Sequence, residues 1–217
     1  MGTGNAHQKV ERIKQAAVDL IERGDINTLS IYDIARRAKI ATSTVYHHFP
    51  NIEALFLAIA DDVFTSLDIM LSEVEATPHF ERWQDITLAI EGAYIRNYQT
   101  NKVATKLILG QHKFYELRHA DFEHDQVLGK RIRDIYQQHF VLPALPSNYN
   151  IFAIALQAAD KVYSTFYNES GHQEISHAAG EEGCRLALAY LSLYLPQYLA
   201  RVPTAVQAND AELMFHY

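Results

Sequence analysis

Cysteine is almost absent from this chain: Cys184 is the single one in 217 residues. Alone it makes neither an intramolecular disulfide nor a CxxC redox pair, and it excludes a thiolate-rich zinc site. Glycine and proline are also scarce, nine and six, which rules out collagenous and low-complexity classes. No run approaches the ~18 apolar residues of a transmembrane helix, and the polar start from Met1 to Lys9 lacks an apolar leader stretch. A cytoplasmic protein with no membrane partner is therefore expected. Catalytic motifs are missing too: no Gly-rich phosphate loop, no HExxH and no Ser-His-Asp ordering occurs. Neither strand-like alternation bounded by hairpin turns nor a 20- to 50-residue repeat is present.

What is there suits a packed globular protein, with 48% hydrophobic and 21% charged residues. The net charge of −7 argues at first against nucleic acid, because phosphate binding needs a basic surface. It is unevenly spread. Residues 1–60 hold seven Lys or Arg against six Asp or Glu, whereas the remainder holds twelve against twenty. A near-neutral head on an acidic body follows.

The apolar residues recur at helical spacing throughout. Val10, Ile13, Ala17, Leu20 and Ile21 share one face, with Gly24 placed where a helix end favours a residue free to take positive φ. Ser30 and Asp33 have the form of a capping box, opening a short helix whose inward face is Ile31, Ile34, Ala35 and Ala38. A second short helix starts at Thr42, packs Val45 and Phe49 inward, and ends before Pro50. Asn51 caps a long helix carrying Ile52, Leu55, Phe56, Ile59, Val63 and Leu67. Further helices are expected at 81–99, 101–111, 117–140, 149–168 and 175–200, with breaks at Thr77-Pro78, Pro143, Pro146 and the polar turn 168–172. The fold class is all-α with about nine helices: a three-helix N-terminal head at 1–52 and a helical bundle at 53–217.

Within 30–49, two short helices joined at Lys39-Ile40-Ala41 have helix-turn-helix spacing. Thr42, Ser43 and Thr44 open the second helix with small hydroxyls that reach phosphates or base edges without bulk. Tyr46 and His47 follow on its exposed side, and Arg36, Arg37 and Lys39 precede the turn, where a first helix crossing a nucleic-acid backbone neutralises phosphates. Arg36, Lys39, Thr42, Ser43, Thr44, Tyr46 and His47 are the candidate DNA contacts.

The stretch from Leu29 to Leu55 closely resembles the DNA-binding signature of the TetR family of bacterial transcriptional regulators, with Ile34-Ala35, Thr44, Tyr46-His47, Phe49 and Leu55 in matching order and spacing. Two positions depart from it: Lys39 replaces the usual turn Gly, and Ile52 replaces a Lys that contacts phosphate. The resemblance implies a homodimeric, ligand-responsive regulator, most often a repressor, whose paired heads grip a palindromic operator on double-stranded DNA and let go when a small-molecule effector binds the body. It also implies that the last two long helices dimerise, which makes Ile151, Ala155, Ala158, Ala159, Ala187, Leu191, Tyr194 and Leu195 the candidate interface.

Eleven of the thirteen tyrosines lie in the body. Tyr94, Tyr98, His112, Phe114, Tyr163, Phe166 and Tyr167 are candidates to line an effector cavity, and Asp160, on an otherwise apolar helix, is a candidate partner for a cationic group. The rival class is a helical-bundle metal enzyme, for which Asp121/His124, Glu169/His172 and Glu174/His177 supply carboxylate-x-x-His pairs. A TetR-like adaptor without DNA binding is the other alternative, motivated by Ile52 and the acidic body. No enzyme activity, metal or other cofactor is expected. The segment 203–217, ending Leu213-Met214-Phe215-His216-Tyr217, carries no assignable role.

Overall fold

The structure is a computed structural model describing residues 3–171 and 174–203, with side chains from residue 6 onward. The C-terminal tail and His172 of the metal candidates thus lie outside the described residues. The described chain is all-helical: α1 (Thr3–Arg23), α2 (Ile31–Ala38), α3 (Thr42–His48), α4 (Ile52–Glu75), α5 (Trp83–Thr100), α6 (Lys102–Ala104), α7 (Tyr115–His139), α8 (Ile151–Glu169) and α9 (His177–Leu191). No strand occurs among these residues; Phe140 and Arg201 form an isolated antiparallel bridge. None of these helices is long and apolar enough to cross a membrane.

Local chemistry accounts for most boundaries. The Ser30–Asp33 capping box is present in both directions, Asp33 N–H donating to Ser30 Oγ at 3.3 Å and Ser30 N–H to Asp33 Oδ2 at 3.2 Å. Asn51 Oδ1 accepts from Ala54 N–H at 2.8 Å and opens α4. Gly24 differs from expectation, because it does not take positive φ; its N–H continues to Leu20 C=O at 2.9 Å. The left-handed residue is instead Lys39, at φ 54°, and among the described non-glycine residues it is alone in that region.

The short helix expected at 101–111 is split. Asn101 caps three residues of α6, then Thr105–Leu109 widens into a π-helical turn. The last helix, expected to reach 200, stops at Leu191. Pro196 lacks an N–H and disfavours helical geometry at Leu195, so the chain turns across 192–195 and leads back to Arg201.

α4 is common to both parts. Its first turns bury Leu55, Phe56 and Ile59 beside Ile13, Ala17 and Ile21 of α1, and its later turns bury Val63, Leu67 and Leu71 against the body. Burying such side chains contributes about 1.5–3 kcal/mol each. In the body, α8 packs between α7 and α9. Two glycines set those distances: a Cβ at Gly129 of α7 would lie 2.6 Å from the backbone N of Ala153, and one at Gly183 of α9 would lie 2.2 Å from the Tyr163 ring.

Candidate functional site

Three tethers hold the two short head helices. Arg12 donates to Ala38 C=O at 2.8 Å, closing the end of α2 against α1. Arg37 pairs with Asp19 of α1, and Lys39 turns the chain so that Ile40 N–H reaches Ala35 C=O at 3.1 Å. Val45 is fully buried and Phe49 nearly so, which fixes the rotation of α3 about its axis. Ser43, Tyr46 and His47 are left exposed, with Thr42 and Thr44 half-buried beside them. Arg36 is exposed near the same end of α2, paired with Asp33 at 2.8 Å.

The structure thus brings together, at the end of α2, on the turn and on α3, the residues proposed from sequence for DNA contact. It adds Tyr32, exposed at the start of α2, whose ring meets Tyr46 edge-on at 6.5 Å. An exposed aromatic just after the Ser30 cap is the signal that could have found it. Ile52 sits half-buried at the first position of α4 and offers no charge there.

The candidate effector residues divide into two groups. Tyr94, Tyr98 and Tyr163 are buried together, the rings of Tyr98 lying 6.2 Å from each of the other two. Tyr98 donates to Asp160 Oδ1 at 3.1 Å, and Tyr163 to Glu91 Oε2 at 2.7 Å. His112 and Phe114 are elsewhere, under the start of α4: Phe114 meets the Phe56 ring edge-on at 5.1 Å, and His112 Nε2 lies 2.9 Å from Leu107 C=O. Phe166 is half-buried against the core. Tyr167 lines a cleft of about 590 Å³ with Tyr98, Thr105, Lys106, Glu22 and Glu174.

Two acidic residues near the tyrosines, Glu91 and Asp125, escaped the sequence reading, and Asp121 entered it only as a metal candidate. Glu91 is nearly inaccessible, and burial pushes its carboxyl up to about 8 despite the stabilising Tyr163 hydroxyl. Asp121 and Asp125 are likewise raised by burial, and Asp125 further by the charge of Asp121. Asp160 is raised by burial first, then by Asp125, Asp121 and Glu91. The missed signal is register. Thr87, Glu91, Tyr94 and Tyr98 recur at spacings of four, three and four on α5, and Asp121 and Asp125 stand in line with Leu117 and Leu128 on α7, so Glu91 and Asp125 occupy core positions and Asp121 the edge of the core.

Among the described residues the carboxylate-x-x-His pairs do not converge. His124 stacks on Phe64 at 4.4 Å and faces Asp68 at 3.6 Å. His177 is exposed, 3.5 Å from Glu181. No group of three or more His, Cys, Asp or Glu among the described residues has the spacing of a metal site. Cys184 is half-buried, its thiol pushed up to about 11 by burial and then by Glu91.

Most of the proposed dimer residues are covered within one chain. Ile151, Ala155, Ala159, Ala187, Leu191 and Leu195 are buried within one chain, between α8, α9 and their neighbours. Only Ala158 and Tyr194 keep accessible surface. Small residues on α8 and α9 serve the close packing inside the chain, while Ile154, Ala158 and Val162 of α8 are half-buried and Leu186 of α9 and Leu193 beyond it are exposed.

Residues 13–59 match the family model described as bacterial regulatory proteins, tetR family. An 88-residue stretch is 31% identical to the HTH-type transcriptional regulator YvdT of Bacillus subtilis (strain 168); it covers 40% of this chain and 44% of that relative, so the chain spans less than half of its length. Among solved structures, a TetR-family transcriptional regulator from Streptomyces coelicolor superimposes with TM-score 0.65 at 18% identity, covering 86% of this chain and 99% of that one. The fatty acid degradation regulator FadR from Bacillus halodurans gives 0.59 at 16%, covering 83% and 94%. NalD, the secondary repressor of the MexAB-OprM multidrug efflux pump in Pseudomonas aeruginosa, gives 0.57 at 15%, covering 89% and 100%.

Proposed function

Taking as premise that residues 13–59 are a TetR-family head on a chain of TetR fold, we propose that the protein is a cytoplasmic, ligand-responsive transcriptional regulator. In this reading it is a homodimeric repressor, not an enzyme, and needs no cofactor. The head, 1–52, reads DNA; the remainder, 53–217, dimerises and binds the effector. The observation that carries the reading is the fixed orientation of α3: Val45 and Phe49 are locked inward, and the hydroxyl and aromatic side chains matching the family signature are left facing out.

Arg36, Lys39, Tyr46 and His47 would contact the phosphate backbone, while Thr42, Ser43 and Thr44 approach base edges. Two heads related by a two-fold axis read a palindrome with half-sites about 34 Å or more apart. The dimer would use the outward sides of α8 and α9, so Leu186→Glu should yield a monomer by sedimentation. Effector binding shifts α4, which is packed in both parts, and separates the heads, a population shift that requires the effector to favour the released state.

The test is selection of bound sequences from random duplexes by the purified protein at several salt concentrations. Enrichment of a palindrome with a steep salt dependence is expected. Absence of any enriched sequence at low salt would overturn the reading in favour of the adaptor or the metal enzyme, which metal analysis of the same sample separates.

A further inference from the structure

Glu91 of α5 and Asp125 of α7 are buried in the body, with Asp121 of α7 and Asp160 of α8 half-buried near them, and the charges acting on Asp125 and Asp160 are those of the other acids, with no Lys or Arg among them. Among the described residues, none of the four takes part in an ion pair. Uncompensated carboxylates in such a place stay ionised only with a countercharge, and otherwise hold protons. A second observation is independent of the acids. Tyr94 is 1% exposed, yet its hydroxyl has no hydrogen-bond partner, and its neighbours in the electrostatic sense are those same four carboxylates. A phenol that gives up its hydrogen bonds on folding is costly unless a ligand completes the site.

We propose that the cluster of Tyr94, Tyr98, Tyr163 and the four carboxylates, beside the cleft that Tyr98 lines, binds an organic cation, an ammonium-type group carried on an aromatic or apolar body, and that this cation is the effector. The tyrosine rings supply faces attractive to a cation, and the acids its countercharge. Metal ions fit poorly, since no three of these groups approach as ligands to one ion must. The cleft of about 590 Å³ lies next to this cluster, because Tyr98 both lines it and donates to Asp160. The effector role rests on the regulator reading, whereas the binding does not.

The test titrates the full-length protein by calorimetry with three probes of similar size: phenethyltrimethylammonium, its neutral carbon isostere 3,3-dimethylbutylbenzene, and 4-phenylbutanoate. The cation should bind at least about tenfold tighter than either other probe. Asp160→Asn and Glu91→Gln, near-isosteric changes that remove buried acids, should each weaken the cation about tenfold and leave the neutral probe unchanged. Asp134→Asn, exposed on α7, should change nothing. Tyr94→Phe should weaken the cation without lowering Tm; a lowered Tm with unchanged cation affinity would mark the hydroxyl as structural and overturn the site. Equal binding of all three probes, preference for phenylbutanoate, or no cation binding at millimolar concentration would overturn it as well. With a selected palindrome in hand, release of that duplex by the cation supports the effector role, and binding without release defeats it. Failure to select a palindrome defeats the regulator reading alone, and the probe titrations still decide the site.

Discussion

The head and the body of this chain handle charge in opposite ways. In the head, ions lie at the surface and are matched: Arg37 with Asp19, Arg36 with Asp33, Lys14 with Asp62 of α4. Such exposed pairs contribute little to stability, so the head stands on its apolar frame and its caps. The body carries acids at core positions without matching bases. Helices that obey local rules form a scaffold; where core positions are given to carboxylates, the chain accepts a less stable unliganded interior, and that exception marks the place to look for a ligand.

Four measurements would break or sharpen this contrast. The largest effect expected is on pH dependence. Glu91 is held at about 8 in the folded chain, well above its unfolded value, so its contribution to stability is complete below the unfolded pKa and is lost as pH rises through about 8. Asp121, Asp125 and Asp160 shift in the same direction. Unliganded protein should therefore lose stability between pH 5 and 9, and Glu91→Gln should flatten that slope by on the order of 3 kcal/mol in urea titrations. A wild-type curve flat over this range would mean that the acids are solvated and the contrast false.

Next is packing within the body. Gly129→Ala places a methyl against the backbone of α8 and should cost about 2 kcal/mol in the same urea titrations. An unchanged midpoint would show that α7 and α8 can move apart. In the head, Tyr46→Ala should weaken binding to all duplexes about tenfold, while Thr42→Ala mainly changes preference among sites. Equal losses on selected and random DNA for both would remove Thr42 from base readout. The smallest effect is Lys39→Gly, which relieves a left-handed residue and should stabilise by about 1 kcal/mol while slightly lowering the salt dependence of DNA binding.

The head was legible because its determinants are short-range. Ser30 and Asp33 are three residues apart, and Val45 and Phe49 four, so spacing alone fixed which sides face in. Lys39 was visible as a departure from the TetR pattern, although its left-handed geometry was not, and Gly24 attracted that expectation wrongly. The body resisted for a different reason. Ala155, Ala159 and Ala187 look the same whether they admit a neighbouring helix of one chain or of a second copy, and only the packing of α8 between α7 and α9 tells the two apart. The acidic pocket draws on α5, α7 and α8, separated by dozens of residues; periodicity places each acid on an inward arc but does not say that the three arcs meet. His112 and Phe114 were drawn to the pocket by residue type alone and belong to the contact with α4.

Lys106 connects the two parts in a way that a boundary drawn at residue 52 conceals. Its ammonium donates to Ile21 C=O at 2.7 Å, Glu22 C=O at 3.1 Å and Gly24 C=O at 2.8 Å, so the carbonyls left open where α1 ends are closed by a side chain from the π-helical turn of the body. Thr105, its neighbour, donates to Tyr98 C=O at 2.6 Å, beside the acidic pocket. A severed head would lose the stopper on its first helix along with the α4 residues Leu55, Phe56 and Ile59 that cover its core. The head of this protein is therefore completed in part by the body, and inheritance by gene fusion of the first fifty residues alone would carry the outward side chains of α3 without the means to hold them in place.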